Sequence, residues 1–294
     1  MRKTDMAEFL LLAALWGGSF LFMRVAAPVF GPLWLIAMRV VLAGFALLPL
    51  VVHLKLGPQL RRHWRSLLVV GGINSAIPFV LLAYASLSLP AGFTSILNGT
   101  APLFGTVIAA VWLQEQVTPL RKIGFGLGFV GVVVLVGWRG IDPTPGFGLA
   151  VAAGLLAALM YAIAAPYVRQ NLAGVSSLTV TTGSQLGATL WLLPALPFTV
   201  PHQMPTPIAA TAVVALALLS TTCAYLLYFR LIQNVGSTKA LTVGYLIPLF
   251  AMLWGAILLA EPITLSMVVG CGLILLGTAI ANDLFRTLMQ GRAA

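Results

Sequence analysis

Apolar runs of about 20 residues recur from one end of this chain to the other, and that is the length a helix needs to cross the hydrocarbon core of a bilayer. They fall at 6–26, 33–52, 66–87, 91–112, 121–138, 147–168, 177–199, 208–230, 237–259 and 264–285. The connections are short, and several carry turn residues: Gly31-Pro32, Asp142-Pro143 and the stretch from Pro201 to Pro207. Strand-like alternation is absent, which argues against a barrel, whereas a helical bundle satisfies each backbone polar group internally, as lipid demands. The expected fold class is an all-α integral membrane protein with ten transmembrane helices. Composition excludes the soluble alternative. Only 7% of the 294 residues are charged, against about 25% in a soluble domain, too few to cover a water-exposed surface.

The net charge of +10 raises nucleic acid as a partner, but the placement of the charge argues against it. The basic residues sit between apolar runs, as in cytoplasmic loops. With the N-terminus inside, all but three of the 16 Lys and Arg fall on the inner side; Arg24, Arg39 and Arg139 are the others. Both termini are therefore expected in the cytoplasm, an arrangement that suits a bacterial inner (plasma) membrane. Trp34, Trp64, Trp112 and Trp138 fall near helix ends, as an aromatic belt requires. The first run continues past Trp16 to Met23, too long for the core of a signal peptide. Cys223 and Cys271 lie in apolar segments and read as small packing side chains. Neither a metal site nor a cofactor is expected.

Self-similarity at a fixed offset of 146 residues is the sharpest internal signal. Pro102-Leu103-Phe104 matches Pro248-Leu249-Phe250, Glu115 matches Glu261, and Thr118 matches Thr264. Gly124, Gly126 and Gly131 match Gly270, Gly272 and Gly277 without a gap. Five helices per copy is an odd number, so the copies have opposite orientation: two inverted five-helix repeats, 1–145 and 146–294, as in many secondary transporters. Both lie in one chain, so a monomer completes the symmetry without a protein partner.

Leu15-Trp16-Gly17-Gly18 in helix 1, Arg39 in helix 2, and the Glu-x-x-Thr followed by spaced glycines in each half resemble the drug/metabolite transporter superfamily, in its ten-helix branch with two EamA-type halves. The resemblance covers nearly the whole chain. It implies a carrier that exports amino acids and related metabolites through a central cavity by alternating access. In overall likeness the chain is most similar to the bacterial aromatic amino-acid exporters.

Substrate sites in such folds lie at mid-membrane, where the repeats meet. The candidate binding residues are Trp16, Ser19, Asn74, Phe79, Asn98, Tyr161, Gln185, Tyr225 and Tyr245: amide and hydroxyl groups for a polar head, aromatic faces for an apolar part. The offset sets Asn74-Ser75 of helix 3 against Ser220-Thr221 of helix 8. For each residue the competing role is packing or backbone satisfaction. Pro102 and Pro248 are candidate matched bends, acting as hinges or as static curvature. The spaced glycines read as close helix packing, since they lack the strand that precedes a nucleotide fingerprint.

The six acidic residues, Asp5, Glu8, Glu115, Asp142, Glu261 and Asp283, all fall near helix ends, loops or termini. A proton-driven pump places such groups in its pathway, so uncoupled facilitated diffusion is favoured over a proton-coupled exporter of other metabolites or drugs. Glu115 and Glu261 read as caps or anchors of matched helices, with a gating ion pair as the other reading. Arg39 either meets a substrate carboxylate or snorkels to the outer interface, some six residues away; the second is favoured. A membrane-embedded enzyme would show paired carboxylates, His clusters or an activated nucleophile, none of which the spacing offers. A membrane scaffold would not require the repeat or the intramembrane polar residues.

Overall fold

The structure, a computed structural model, describes residues 2–112, 114, 118–137, 146–201 and 204–282. Glu115, Trp138, Arg139, the Asp142-Pro143 turn, His202, Asp283, Arg286 and Arg292 lie outside these residues.

The first element, α1 (Lys3–His53), is 51 residues long. At 1.5 Å per residue that is about 75 Å, more than twice the thickness of a hydrocarbon core. Gly31 divides it, with φ 71° and ψ 155°, a conformation open to glycine at little cost, and Pro32 follows at once. Two arms result, 3–30 and 32–53, each of bilayer length, with the break where Gly31-Pro32 predicts it.

The chain continues through a short helix (Gly57–Arg62) to α2 (Trp64–Ser88), α3 (Ala91–Trp112), α4 (Pro119–Gly137), α5 (Phe147–Asn171), α6 (Ser177–Leu192), α7 (Pro207–Val235), α8 (Lys239–Leu259) and α9 (Leu265–Ala281). Among the described residues all regular structure is helical, and seven of these helices are long and apolar enough to cross a membrane. Two boundaries differ from the sequence reading. The run 177–199 is α-helical only to Leu192 and ends as a tighter turn, Leu193–Phe198, because Pro194 and Pro197 withhold the amides an α-helix needs. The run 91–112 is interrupted at Gly99-Thr100, where Thr100 Oγ1 donates to the Leu97 carbonyl at 2.6 Å.

Positions 146 residues apart behave alike. The Thr118 hydroxyl accepts from the Arg121 amide and the Thr264 hydroxyl from the Met267 amide, both at 3.3 Å, so each caps the helix it begins. Gln114 and Ala260, one residue before each Glu, both have φ 53°. α3 and α8 are each interrupted, α8 by a tight turn at Thr242–Tyr245, and each resumes one residue before its proline, at Ala101 and Ile247. Pro102 and Pro248 therefore start new helical pieces rather than bending continuous ones, at a place where a missing amide is harmless. α2 and α7 each contain one wide π turn, Gly71–Ala76 and Leu218–Cys223.

The glycines pack as their spacing predicts. α4 and α9 lie backbone against backbone: a Cβ on Gly277 would come 2.5 Å from the Gly124 carbonyl oxygen, and one on Gly270 would come 3.0 Å from that of Gly131. Lipid offers no hydrophobic drive between helices, so such close van der Waals contact is what holds them together. Gly126 and Gly272 face open space instead. Elsewhere Phe20, Met23, Leu35, Val40, Phe79, Leu82 and Leu216 form the largest buried cluster, which joins α1, α2 and α7 around the middle of the bundle.

Candidate functional site

A cavity of about 480 Å³ opens at the end of the bundle that carries Arg121, Arg169 and Asn282. Its walls come from α3, α4, α5 and α9, with Pro102, Thr106, Ala165 and Pro166 among them. Tyr161 also lines it, about two turns up α5 from Arg169. No carboxylate lines it among the described residues.

Arg39 lies on the second arm of α1, about 12 Å along the helix from Gly31. It is 5% exposed, so it does not snorkel to the interface. Its Nε donates to Thr221 Oγ1 at 3.0 Å, and its guanidinium carbon sits 3.7 Å from the centroid of the Phe79 ring. Tyr161 and Tyr225 lie within electrostatic range. The π turn in α7 makes this contact available. It leaves the Leu216 and Ala217 carbonyls to the hydroxyls of Thr221 (2.9 Å) and Thr222 (3.1 Å), each five residues on. Thr221 thus gives its proton to backbone and its lone pairs to arginine. Wide turns of this kind are frequent at functional sites. An arginine at the centre of a membrane helix costs about 2.5–3.5 kcal/mol, and a desolvated cation–π contact returns about 2 kcal/mol.

Aromatic rings continue from this cluster. Trp16 meets Tyr225 edge-on (centroids 6.1 Å, 77°) and Tyr228 at 5.1 Å, and Tyr225 stacks on Phe229 at 6.0 Å. Of the expected residues, Phe79 meets Arg39, Trp16 meets Tyr225, and Tyr161 lines the cavity. The others are dispersed. Ser19 is buried on the first arm of α1, and Asn74 is half-buried in the π turn of α2. Asn98 ends the first piece of α3 with a buried Oδ1 that has no partner among the described residues. Gln185 is fully buried on α6; its Nε2 donates to Ser75 Oγ at 3.3 Å while its Oε1 has no described partner. Tyr245 is half-buried and is not part of the cavity lining. Pro102 lines the cavity, and Pro248 is buried. The sequence favours a snorkelling Arg39 over one that meets a substrate and offers Thr221 only through the offset that pairs it with Ser75; the structure places the two in contact.

The opposite end of the bundle is tied shut around Glu261. Its Oε2 accepts the Ala91 amide at 2.9 Å, the first of α3, and its Oε1 accepts Arg24 Nε at 3.2 Å. Arg24 Nη1 donates to the Ser86 and Leu87 carbonyls, both at 2.8 Å. One carboxylate thus joins α1, the end of α2, the start of α3 and the α8–α9 connection. It caps a helix, but the helix is α3 rather than α9, and the favourable charge at an N-terminus adds to the ion pair. At the cavity end, Glu8–Arg230 (3.1 Å) and Asn234–Asp5 (3.3 Å) join α1 to α7. The opening itself is walled by α3, α4, α5 and α9.

Known proteins of the same length are similar to this chain from end to end. A probable terminal-alkyne amino-acid exporter of Streptantibioticus cattleyicolor is 26% identical, over 97% of this chain and 94% of its own. An S-adenosylmethionine/S-adenosylhomocysteine transporter of Chlamydia trachomatis is 24% identical, over 93% and 88%. An uncharacterized transporter of Archaeoglobus fulgidus is 25% identical, over 92% and 95%. A solved structure shares the fold, with a TM-score of 0.66 at 21% identity over 98% of this chain and 99% of that one. The model of one family matches twice in succession, over residues 6–137 and 148–282, and the chain belongs to that family, the EamA-like transporters.

Proposed function

We propose that this membrane transporter is a carrier of small amino-acid-like solutes, built as two inverted five-helix halves, 1–145 and 146–294, that work by alternating access. The observation that carries this reading is the asymmetry of the bundle: a cavity at one end, a sealed hub at the other, in a chain whose positions 146 residues apart make the same caps, turns and breaks. The twofold family match supports the halves. With α1 divided at Gly31, and with α6 and α9 counted as crossings, the helices total ten. The distribution of Lys and Arg supports a reading in which both termini and the cavity mouth face the cytoplasm across an inner membrane, ready to load solute for export. One chain suffices as a monomer.

Two relatives carry names that specify amino-acid chemistry, since S-adenosylmethionine is itself an amino-acid derivative. The ring cluster of Trp16, Tyr225, Tyr228 and Phe229 favours an aromatic or extended apolar side chain. The three acidic side chains the structure describes sit at the two ends of the bundle, each tied to an arginine, which supports uncoupled facilitated diffusion. The test is flux into proteoliposomes of labelled phenylalanine, tryptophan, methionine, threonine and a small organic cation, with no ion gradient imposed. Saturable flux of the amino acids with countertransport is the expected result. Flux that requires an imposed proton gradient overturns the uncoupled mechanism. Flux of the cation alone overturns the substrate class.

A further inference from the structure

Arg39 is a buried cation with no carboxylate partner among the described residues. The three acidic side chains the structure describes are engaged elsewhere: Asp5 with Arg2 and Asn234, Glu8 with Arg230, Glu261 with Arg24 and the Ala91 amide. The three others, Glu115, Asp142 and Asp283, stand near helix ends in the sequence. Thr221 occupies one of the five guanidinium donors, and the terminal nitrogens have no hydrogen-bond partner among the described residues. Phe79 covers one face of the group and offers no acceptor in its plane. Arginine presents a planar fork that fits a carboxylate in a bidentate manner.

The cavity carries charge of the same sense. Arg121 and Arg169 line it, with Tyr161 on the same wall. A cleft lined by one sign of charge between low-dielectric walls draws in solutes of the other. Tyr225 stands one turn along α7 from Thr221 and meets Trp16 edge-on, where the rest of the solute would sit.

We infer that Arg39 binds the carboxylate of the transported solute, with Thr221 fixing the plane of the guanidinium and Phe79 and Tyr225 flanking the bound group. This rests on the carrier reading above and names the solute as a carboxylate. A free α-carboxylate is then required, and the amide, ester or decarboxylated amine of the same solute is rejected.

The test begins with the unaltered protein in lipid nanodiscs. Thermal stabilisation is measured with phenylalanine, phenylalaninamide, phenethylamine and 3-phenylpropionate, in Hepes buffer without and with added sodium chloride. Phenylalanine and phenylpropionate are expected to stabilise, and the amide and amine to bind on the order of thirtyfold more weakly or not at all. Arg39→Lys keeps the charge without the fork and is expected to weaken carboxylate binding. Thr221→Val retains binding with a smaller preference for acid over amide, which gives a second reading if Arg39 variants fail to fold. Equal binding of acid and amide sinks the inference, as does stabilisation by chloride that carboxylates neither add to nor displace. Liposome flux separates this from the carrier reading. Saturable flux of solutes without a carboxylate keeps the carrier and removes the role of Arg39. Carboxylate-selective binding without flux of any solute keeps the site and removes the carrier.

Discussion

Two places in this molecule join segments far apart in sequence, and they do so by opposite means. At the α4–α9 seam, backbones touch through Gly124, Gly131, Gly270 and Gly277. At the Arg24 end, a single carboxylate gathers an amide, an arginine and, through that arginine, two carbonyls. The seam is a fit of shapes; opening it would forfeit many small contacts with nothing to replace them. The hub is a set of hydrogen bonds that water can take over one by one. Under the carrier reading both kinds of contact have a use, one that persists through a transport cycle and one that is made and broken.

The sharpest way to break this contrast is Gly277→Leu, which drives a side chain into the backbone of α4. Loss of monodisperse protein on size-exclusion chromatography is expected, and retention of a folded, transporting variant would show that the seam can part. Next in size is Glu261→Gln. It removes the charge opposite Arg24 while keeping the side chain's shape, and loss of a partly buried charged hydrogen bond of about 1.5–3 kcal/mol corresponds to more than tenfold in the closed–open ratio at that end. A cysteine placed at Ser88, in a background free of Cys223 and Cys271, should react correspondingly faster with a membrane-impermeant maleimide, and transport should fall. Thr264→Ala removes the N-cap of α9 and is expected to cost about 1 kcal/mol, read as a lower midpoint in thermal unfolding. The smallest effect has the opposite sign: Gly272→Ala, on the face of α9 with nothing near, raises stability by up to about 1 kcal/mol through helix propensity alone. Destabilisation there would mean the seam is wider than its contacts indicate.

Features that repeat, or that act through the backbone, were legible in the sequence. Thr118 and Thr264 stand out as matched positions, though the caps they make were not read there; Gly31-Pro32 announces the break in α1, and the spaced glycines announce close packing. What hydropathy does not carry is rotation about a helix axis. Arg39, six residues from its expected helix end, reads equally as a snorkelling residue or an inward one; only packing against Phe79 and Thr221 decides. Nor does one chain's sequence pair Glu261 with Arg24 across 237 positions. The ring cluster was half legible: reading aromatics at depth as candidates finds Trp16 and Tyr225, which meet, but also Tyr245, which lies in none of the described ring contacts and outside the cavity lining. Gln185 and Asn98 keep buried oxygens without described partners, so their polarity was informative although the cavity does not reach them in this conformation.

The two wide turns, Gly71–Ala76 in α2 and Leu218–Cys223 in α7, bear on the history of the chain. A π turn holds one residue more than the α turn it replaces, so deleting a residue would regularise either helix. Under the two-halves reading the turns occupy equivalent places to within one residue. The simplest descent puts the extra residue in the single ancestral half, before that half was copied. The copies have since diverged in what they do with it. One uses the loosened backbone to seat a threonine against Arg39, while the other sets Ser75 under Gln185. An old irregularity, retained twice, thus became the material from which the two halves acquired different work.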